Sequence, residues 1–236
     1  MVLRTARSVE SLFDAVAQEY ETNYSASWYK AHSLLLVELT ARGQPVERVL
    51  DAGCGTGFLL RQLARNDAAL DGVGVDLSGG MIREARKLAQ DEGLTKLRYH
   101  QANWEDPGSL AHAELTTGHF DLVVCANCLH YFSDPQSALR RMREMLRPGG
   151  RILLLDRAAD GSPATVLWDL VHRYILRDEV RFYTTQQLRT LAEAAGFTRV
   201  ETAARLRRVF WKGKLKTSLA VIAAENPFVP TTKDNL

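Results

Sequence analysis

Residues 51–57 read Asp51-Ala52-Gly53-Cys54-Gly55-Thr56-Gly57: three glycines two apart, behind Val49-Leu50 and ahead of Phe58-Leu59-Leu60. At a junction of strand and helix such glycines let a ligand approach main-chain N–H groups at a helix N-terminus. The spacing narrows the ligand. A dinucleotide turn has G-x-G-x-x-G/A, but here the third glycine comes one residue early and Phe58 stands where a small packing residue belongs. A phosphate loop needs Lys-Ser/Thr after its glycines, and none follows. A ligand with a ribose but no phosphate cluster remains. Asp76 closes the next strand-like run, nineteen positions after Gly57. An open α/β sheet places a carboxylate there to accept from both ribose hydroxyls; its plainer role is a helix N-terminal acid near Ser78.

The elements that must position these residues are legible as a change of period. Leu12, Phe13, Val16, Ala17 and Tyr20 recur at helical spacing, predicting a helix over Ser8 to Tyr20 capped by Ser8; a second is predicted over Trp28 to Arg42, stopped by Gly43 and Pro45. Strand-like runs follow at 48–52, 72–76, 97–100, 120–125 and 151–156. Strands alternating with helices of 10–15 residues argue a parallel sheet covered on both faces. Ser78 should cap a helix over Met81 to Gln90, and Asp134-Pro135 should open another that ends at Arg147-Pro148-Gly149-Gly150. Beyond Asp156 the spacing predicts an inserted helix over Ala164 to Arg177 and a helix over Thr184 to Ala195 closed by Gly196. Two strands follow, Arg199 to Phe210 and Thr217 to Ala224, too close in sequence for a crossover and therefore antiparallel.

No Pro/Gly/Ser-rich linker divides the 236 residues, and the composition is that of an ordinary globular protein, so one domain is expected. No apolar stretch approaches a membrane span and no signal-like apolar core opens the chain, so a cytoplasmic location without membrane contact is expected. Cys54, Cys125 and Cys128 read as free thiols near a site; Cys125-x-x-Cys128 lacks the other half of a zinc motif, so no metal is expected. A net charge of +2 implies no nucleic-acid partner globally. Arg205, Arg207, Arg208, Lys212, Lys214 and Lys216 around Phe210 and Trp211 could form a basic aromatic surface for nucleic acid. The adopted reading is a solvated ribbon whose lysines guard an edge.

The stretches "VLDAGCGTG", "GVDLSGGMI", "FDLVVCANCLHYF" and "LRPGGRILLLD" resemble, in order and separation, the successive motifs of class I S-adenosylmethionine-dependent methyltransferases, small-molecule type; "RFYTTQQLRTLAEAAGF" resembles a final helix of such members. The resemblance implies a Rossmann-like α/β fold with a seven-stranded, mostly parallel sheet whose last strand is inserted antiparallel. It implies N-terminal lid helices over 1–44, a cofactor core over 45–156, a substrate-side insertion over 157–183 and a C-terminal helix and strands over 184–236. The implied cofactor is S-adenosyl-L-methionine and the product S-adenosyl-L-homocysteine.

By the same resemblance Gly53, Gly55 and Gly57, with Cys54, line the methionine part, Asp51 lies behind its amino group, Asp76 holds the ribose, Leu77 packs on the adenine, and Met81 and Cys125 complete the cofactor site. Asn103 stands where relatives often carry Asp against the exocyclic amine; an amide oxygen can still accept that bond without charge assistance. Trp104 covers the ring or simply fills the core. Tyr20 and Tyr24 resemble lid tyrosines, and Tyr20 is also a candidate for the catalytic set, since aromatic faces suit a sulfonium. His130, in the loop after the fourth strand, is the candidate base for a hydroxyl or ammonium nucleophile; in many relatives a His there orients the loop instead. With His130, Trp168, His172, Arg173 and Tyr183 are the candidate substrate residues, suited to an aromatic acceptor with an anionic group. The expected reaction is methyl transfer to an O, N or C nucleophile of a small molecule by in-line displacement, in a monomer or homodimer. A tRNA or protein methyltransferase, or a protein that binds the cofactor without methylating, are the rivals.

Overall fold

The computed structural model describes residues 5–22, 26–111, 113, 115–161, 183–206, 210–211, 214–215 and 218–228. Two helices precede the sheet, α1 (Ala6–Asp14) and α2 (Ala26–Ala41). The first ends sooner than its apolar spacing predicts. Thr5, not Ser8, is its cap, accepting the Ser8 N–H, and the chain past Asp14 turns into a short 3-10 segment at Ala17–Glu19 that carries Val16, Ala17 and Tyr20 onto other partners. The predicted strands and helices then follow in order, with one short helix, α5, that was not predicted: β1 (Arg48–Ala52), α3 (Phe58–Asn66), β2 (Asp71–Asp76), α4 (Gly79–Asp91), β3 (Leu97–Gln101), α5 (Pro107–Ala111), β4 (Phe120–Ala126), α6 (Pro135–Met145) and β5 (Leu146–Ala158).

Side-chain caps fix three further helix starts: Ser78 accepts from Met81 N, Asp134 from Ser137 N, and Thr184 forms a reciprocal capping box with Gln187 at α7 (Thr185–Ala194). The predicted Arg147-Pro148-Gly149-Gly150 stop lies within β5 instead. The helix ends at Met145, and Gly149 and Gly150 exchange main-chain bonds with Asn226.

The remaining strands are β6 (Thr198–Leu206), the two-residue pair β7 (Phe210–Trp211) and β8 (Lys214–Leu215), and β9 (Ser218–Glu225). The main sheet has the order β3-β2-β1-β4-β5-β9-β6; β9 is antiparallel to both neighbours, and the pairs from β3 to β5 are parallel. This is a Rossmann-like α/β sheet of seven strands with the inserted antiparallel strand that the short connection requires. The β7–β8 hairpin stands apart, where the basic ribbon was expected.

Burial follows the strand period of two. Val49, Leu122, Val124, Leu153 and Leu155 pack under α2, α3 and α4, while Leu50, Ala52, Cys125, Ile152 and Leu154 pack under α6 and α7. Strand order reverses between β1 and β4, which opens a crevice beyond their carboxyl ends. The predicted helix over Ala164 to Arg177 lies outside the described residues.

Candidate functional site

The glycine turn fills that crevice. Gly53 N and Cys54 N both donate to Val75 O, at 2.7 and 3.1 Å, so the turn leaving β1 is tied to the end of β2. Gly53 and Gly57 sit at φ +80° and +74°, and space as well as backbone reserves both for glycine: a Cβ on Gly53 would stand 2.6 Å from Cys128 Sγ, and one on Gly57 2.5 Å from the Tyr99 hydroxyl. At Gly55 a Cβ would meet nothing nearer than the Tyr29 hydroxyl at 3.9 Å, so this glycine faces open space. Asp76 stands across from it. Its Oδ2 accepts the Gly55 N–H at 2.8 Å and its Oδ1 the Ser78 N–H at 2.9 Å, which aims the carboxylate and leaves further lone pairs unengaged by these two bonds. Burial raises its pKa. Asp51, buried on β1, is pushed up to about 8, first by burial and then by the charge of Asp76.

A cavity with an empty volume of about 840 Å³, partly open to solvent, runs over this turn. Gly53, Gly55 and Asp76 line its floor, Leu77, Met81, Ala102, Asn103 and Trp104 one end, and Asn127, Cys128 and Tyr131 the other. Its roof is aromatic. Successive ring pairs run Phe58–Tyr29 (5.9 Å), Tyr29–Tyr20 (5.1 Å), Tyr20–Phe13 (6.4 Å) and Phe13–Tyr131 (5.5 Å), the last three edge-on. Burial, then Tyr131 and Asp76, push the Tyr20 hydroxyl up to about 12, so its phenol is neutral at physiological pH. Asn103 makes an Asx turn in which its Oδ1 already accepts Glu105 N at 2.9 Å.

Beside the cavity lies a buried pair. Asp156, at the β5 end, accepts His130 N at 3.1 Å through Oδ2, and its Oδ1 lies 2.7 Å from His130 Nδ1. Beside this carboxylate Nδ1 carries a proton, and in the neutral ring the lone pair then lies on Nε2, which has no hydrogen-bond partner among the described residues. The ring stacks obliquely on Tyr131 at 4.2 Å.

The family model described as a methyltransferase domain matches residues 23–202. The chain belongs to the methyltransferase domain family. The ubiquinone biosynthesis O-methyltransferase of Aeromonas salmonicida is 31% identical over 158 residues, covering 64% of this chain and 62% of the relative. YcgJ of Bacillus subtilis, an uncharacterized methyltransferase, is 32% identical over 150 residues, covering 63% and 55%. The match thus spans under two thirds of the length of these curated relatives. Among solved structures the cyclase SpnF superposes with a TM-score of 0.70 at 18% identity, over 97% of this chain and 99% of that one, a likeness of fold. The fold is the class I arrangement of S-adenosylmethionine-dependent methyltransferases.

In this member of the family Gly53, Gly55, Asp76, Leu77, Met81, Asn103, Trp104 and Tyr20 come together around one cavity. Asp51, Cys54, Gly57 and Cys125 do not line it. Gly57 backs onto Tyr99, and the fully buried Cys125 lies with its Sγ 3.2 Å from that of Cys128, whose thiol donates to Ala52 O at 3.1 Å behind the turn. His130 is also outside the lining, next to Tyr131 and Phe132, which are in it, and Tyr183 is buried in the core, bridging Ala158. Tyr24, Trp168, His172 and Arg173 lie outside the described residues. Sequence reasoning missed Phe13, Tyr29, Asn127 and Asp156. A signal for Asp156 was present, since it ends the apolar run Ile152–Leu155 as Asp76 ends its own strand. Asn127 carries none beyond its residue type, yet takes φ +54°. Among the described residues no cluster of ligands could hold a metal ion, and no helix is long and apolar enough to cross a membrane.

Proposed function

We propose that this chain binds S-adenosyl-L-methionine and transfers its methyl group to a small-molecule nucleophile by in-line displacement, leaving S-adenosyl-L-homocysteine. The observation that carries the reading is Asp76, whose carboxylate is fixed by main-chain N–H groups, Gly55 on one oxygen and Ser78 on the other, while the residue faces the cavity, as an acceptor for two neighbouring ribose hydroxyls must be. The residues around it fit the rest of that cofactor. Gly53 and Gly55 admit the methionine part, with Cys54 and Gly57 shaping the turn. Asp51, pushed up to about 8 by burial and by the charge of Asp76, gains from an ammonium near it. Leu77, Met81, Ala102 and Trp104 suit adenine, and Asn103 its edge. When bound, the cofactor supplies an electrophilic methyl on a sulfonium, whose charge is lost as the methyl leaves.

The protein's part is orientation and exclusion of water. The neutral faces of Tyr20, Tyr29 and Phe13 attract the sulfonium without the tight grip of a carboxylate, which would favour the ground state over the transition state. The base for the acceptor's proton is His130 Nε2, which is buried behind the cavity-lining Tyr131 and would have to be uncovered as the acceptor binds, and Asp156 keeps the ring in the tautomer that can accept the proton. Trp168, His172, Arg173 and Tyr183 are the proposed acceptor-side residues. The relatives named as O-methyltransferases of ubiquinone biosynthesis favour an oxygen nucleophile on a small molecule. Likeness to a cyclase along nearly the whole chain makes a catalyst that holds the cofactor without spending its methyl the second reading.

Calorimetry on ligand-stripped protein tests binding: the cofactor and its demethylated product should associate and a dinucleotide should not. Incubation with methyl-labelled cofactor and a cell extract tests transfer; label in the small-molecule fraction is expected. Label in macromolecules would replace this acceptor class, and a substrate turned over with the cofactor intact would favour the second reading.

A further inference from the structure

Two acids of the N-terminal segment do not line the cavity yet hold the segment that roofs it. Asp14, the last residue of α1, rests on the first turn of α4: its Oδ1 accepts Ser78 Oγ–H at 2.5 Å and Gly80 N–H at 2.7 Å. These bonds hold its carboxyl below the ordinary range. The fit dictates residue 80, where a Cβ would stand 2.9 Å from Asp14 Oδ1, 3.1 Å from Asp14 Cα and 3.3 Å from Ala17 Cβ. Alanine is the better helix former, so α4 forgoes some helix propensity in its first turn to seat α1. Glu21 makes the second attachment. Its Oε1 accepts Thr56 Oγ1–H at 2.6 Å and pairs with Arg61, a 3% exposed guanidinium whose other side is bound by Glu92 at the end of α4. Lys30 on α2 stands 3.8 Å from the other Glu21 oxygen.

We propose that residues 14–21 form a two-point clasp. Asp14 fastens on the helix that follows β2, and Glu21 on the turn and helix that follow β1, with Tyr20 held between them over the cavity. Glu21 is thereby a positioning residue for the glycine turn: Gly55 N is tied to Asp76 on the cavity floor, and the next residue, Thr56, to Glu21 on the roof. Opening the roof therefore pulls on the floor, and ligand release is coupled to release of the clasp. The coupling rests on the methyl-transfer reading for the identity of what is enclosed; the clasp does not.

The test is hydrogen exchange of the ligand-free full chain, followed by the rate of S-adenosylhomocysteine dissociation. Gly80→Ala, which favours the helix but crowds Asp14, should speed exchange over residues 9–20 by about tenfold while β1 and β4 stay protected. Asp14→Asn, nearly isosteric, should do the same. Glu21→Ala should speed product dissociation about tenfold, and Glu21→Gln less, since its amide oxygen can still accept from Thr56. Unchanged exchange over residues 9–20 in folded Gly80→Ala and Asp14→Asn proteins would overturn the clasp. Faster exchange in those variants, with no binding of product by the parent protein, would leave the clasp standing and remove the cofactor reading instead.

Discussion

At the scale of single residues, the carboxylates at strand ends carry the testable chemistry. Asp51 has a pKa near 8 against an ordinary 3.8, so between those values the folded chain binds more protons than the unfolded one. Stability of the ligand-free protein should therefore fall as pH rises from about 4 to 8, and Asp51→Asn should flatten that slope in thermal melts. An ammonium bound beside Asp51 drives its proton off; calorimetry at pH 7 in buffers of different ionisation heat should find up to one proton released per ligand, and none in Asp51→Asn. His130→Gln should lower turnover by roughly 10²–10⁴ with cofactor affinity nearly intact, and Asp156→Asn should lower turnover as well. Loss of cofactor binding with normal turnover would make the pair a loop brace. Asn103→Asp adds charge to a single acceptor and should tighten adenosine ligands by up to about tenfold, less whatever repulsion Glu105 imposes.

At the scale of elements, the glycine turn separates into a part that meets ligand and a part that meets protein. Gly57→Ala combines a left-handed backbone with a collision against Tyr99, and should cost about 2–4 kcal/mol. That corresponds to a Tm lower by roughly 5–15 °C. Gly55→Ala has a similarly unfavourable φ of +53° but open space beside it, so its melt should move less and its ligand affinity more. The opposite ranking would mean that the cavity lies elsewhere. The starts at Ser78 and Asp134 were legible because each is a short polar side chain ahead of a periodic run, whereas Thr184, read as the first helical residue, is the cap. The end of α1 was not, because Phe13 and Tyr20 continue the apolar spacing while answering to other rings, those of Tyr131 and Tyr29. Periodicity reports that a residue is buried, not which neighbour buries it.

At the scale of the whole molecule, a parallel sheet alternating with helices and an antiparallel last pair were readable from run lengths and the short connection before β9; the insertion of that strand came from the family resemblance, and the strand order with its reversal between β1 and β4 came from the structure. The floor of the cavity was readable as well, since acids and glycines at strand ends keep a fixed place in such a sheet. The roof was not. Phe13, Tyr29 and Glu21 meet the core through contacts distant in sequence, and the residue types alone do not say where an N-terminal helix docks.

The placement of β9 bears on how the molecule comes together. It lies between β5 and β6, hydrogen-bonded to both, yet follows both in the chain. While a ribosome is still making residues 218–225, β5 presents an open flank and β6 has no companion, so nearly half of the sheet waits on one late arrival. Such a vacancy accepts any extended peptide that fits it. An eight-residue mimic of 218–225, supplied during refolding, should therefore be incorporated in place of the native segment and slow recovery of the folded protein.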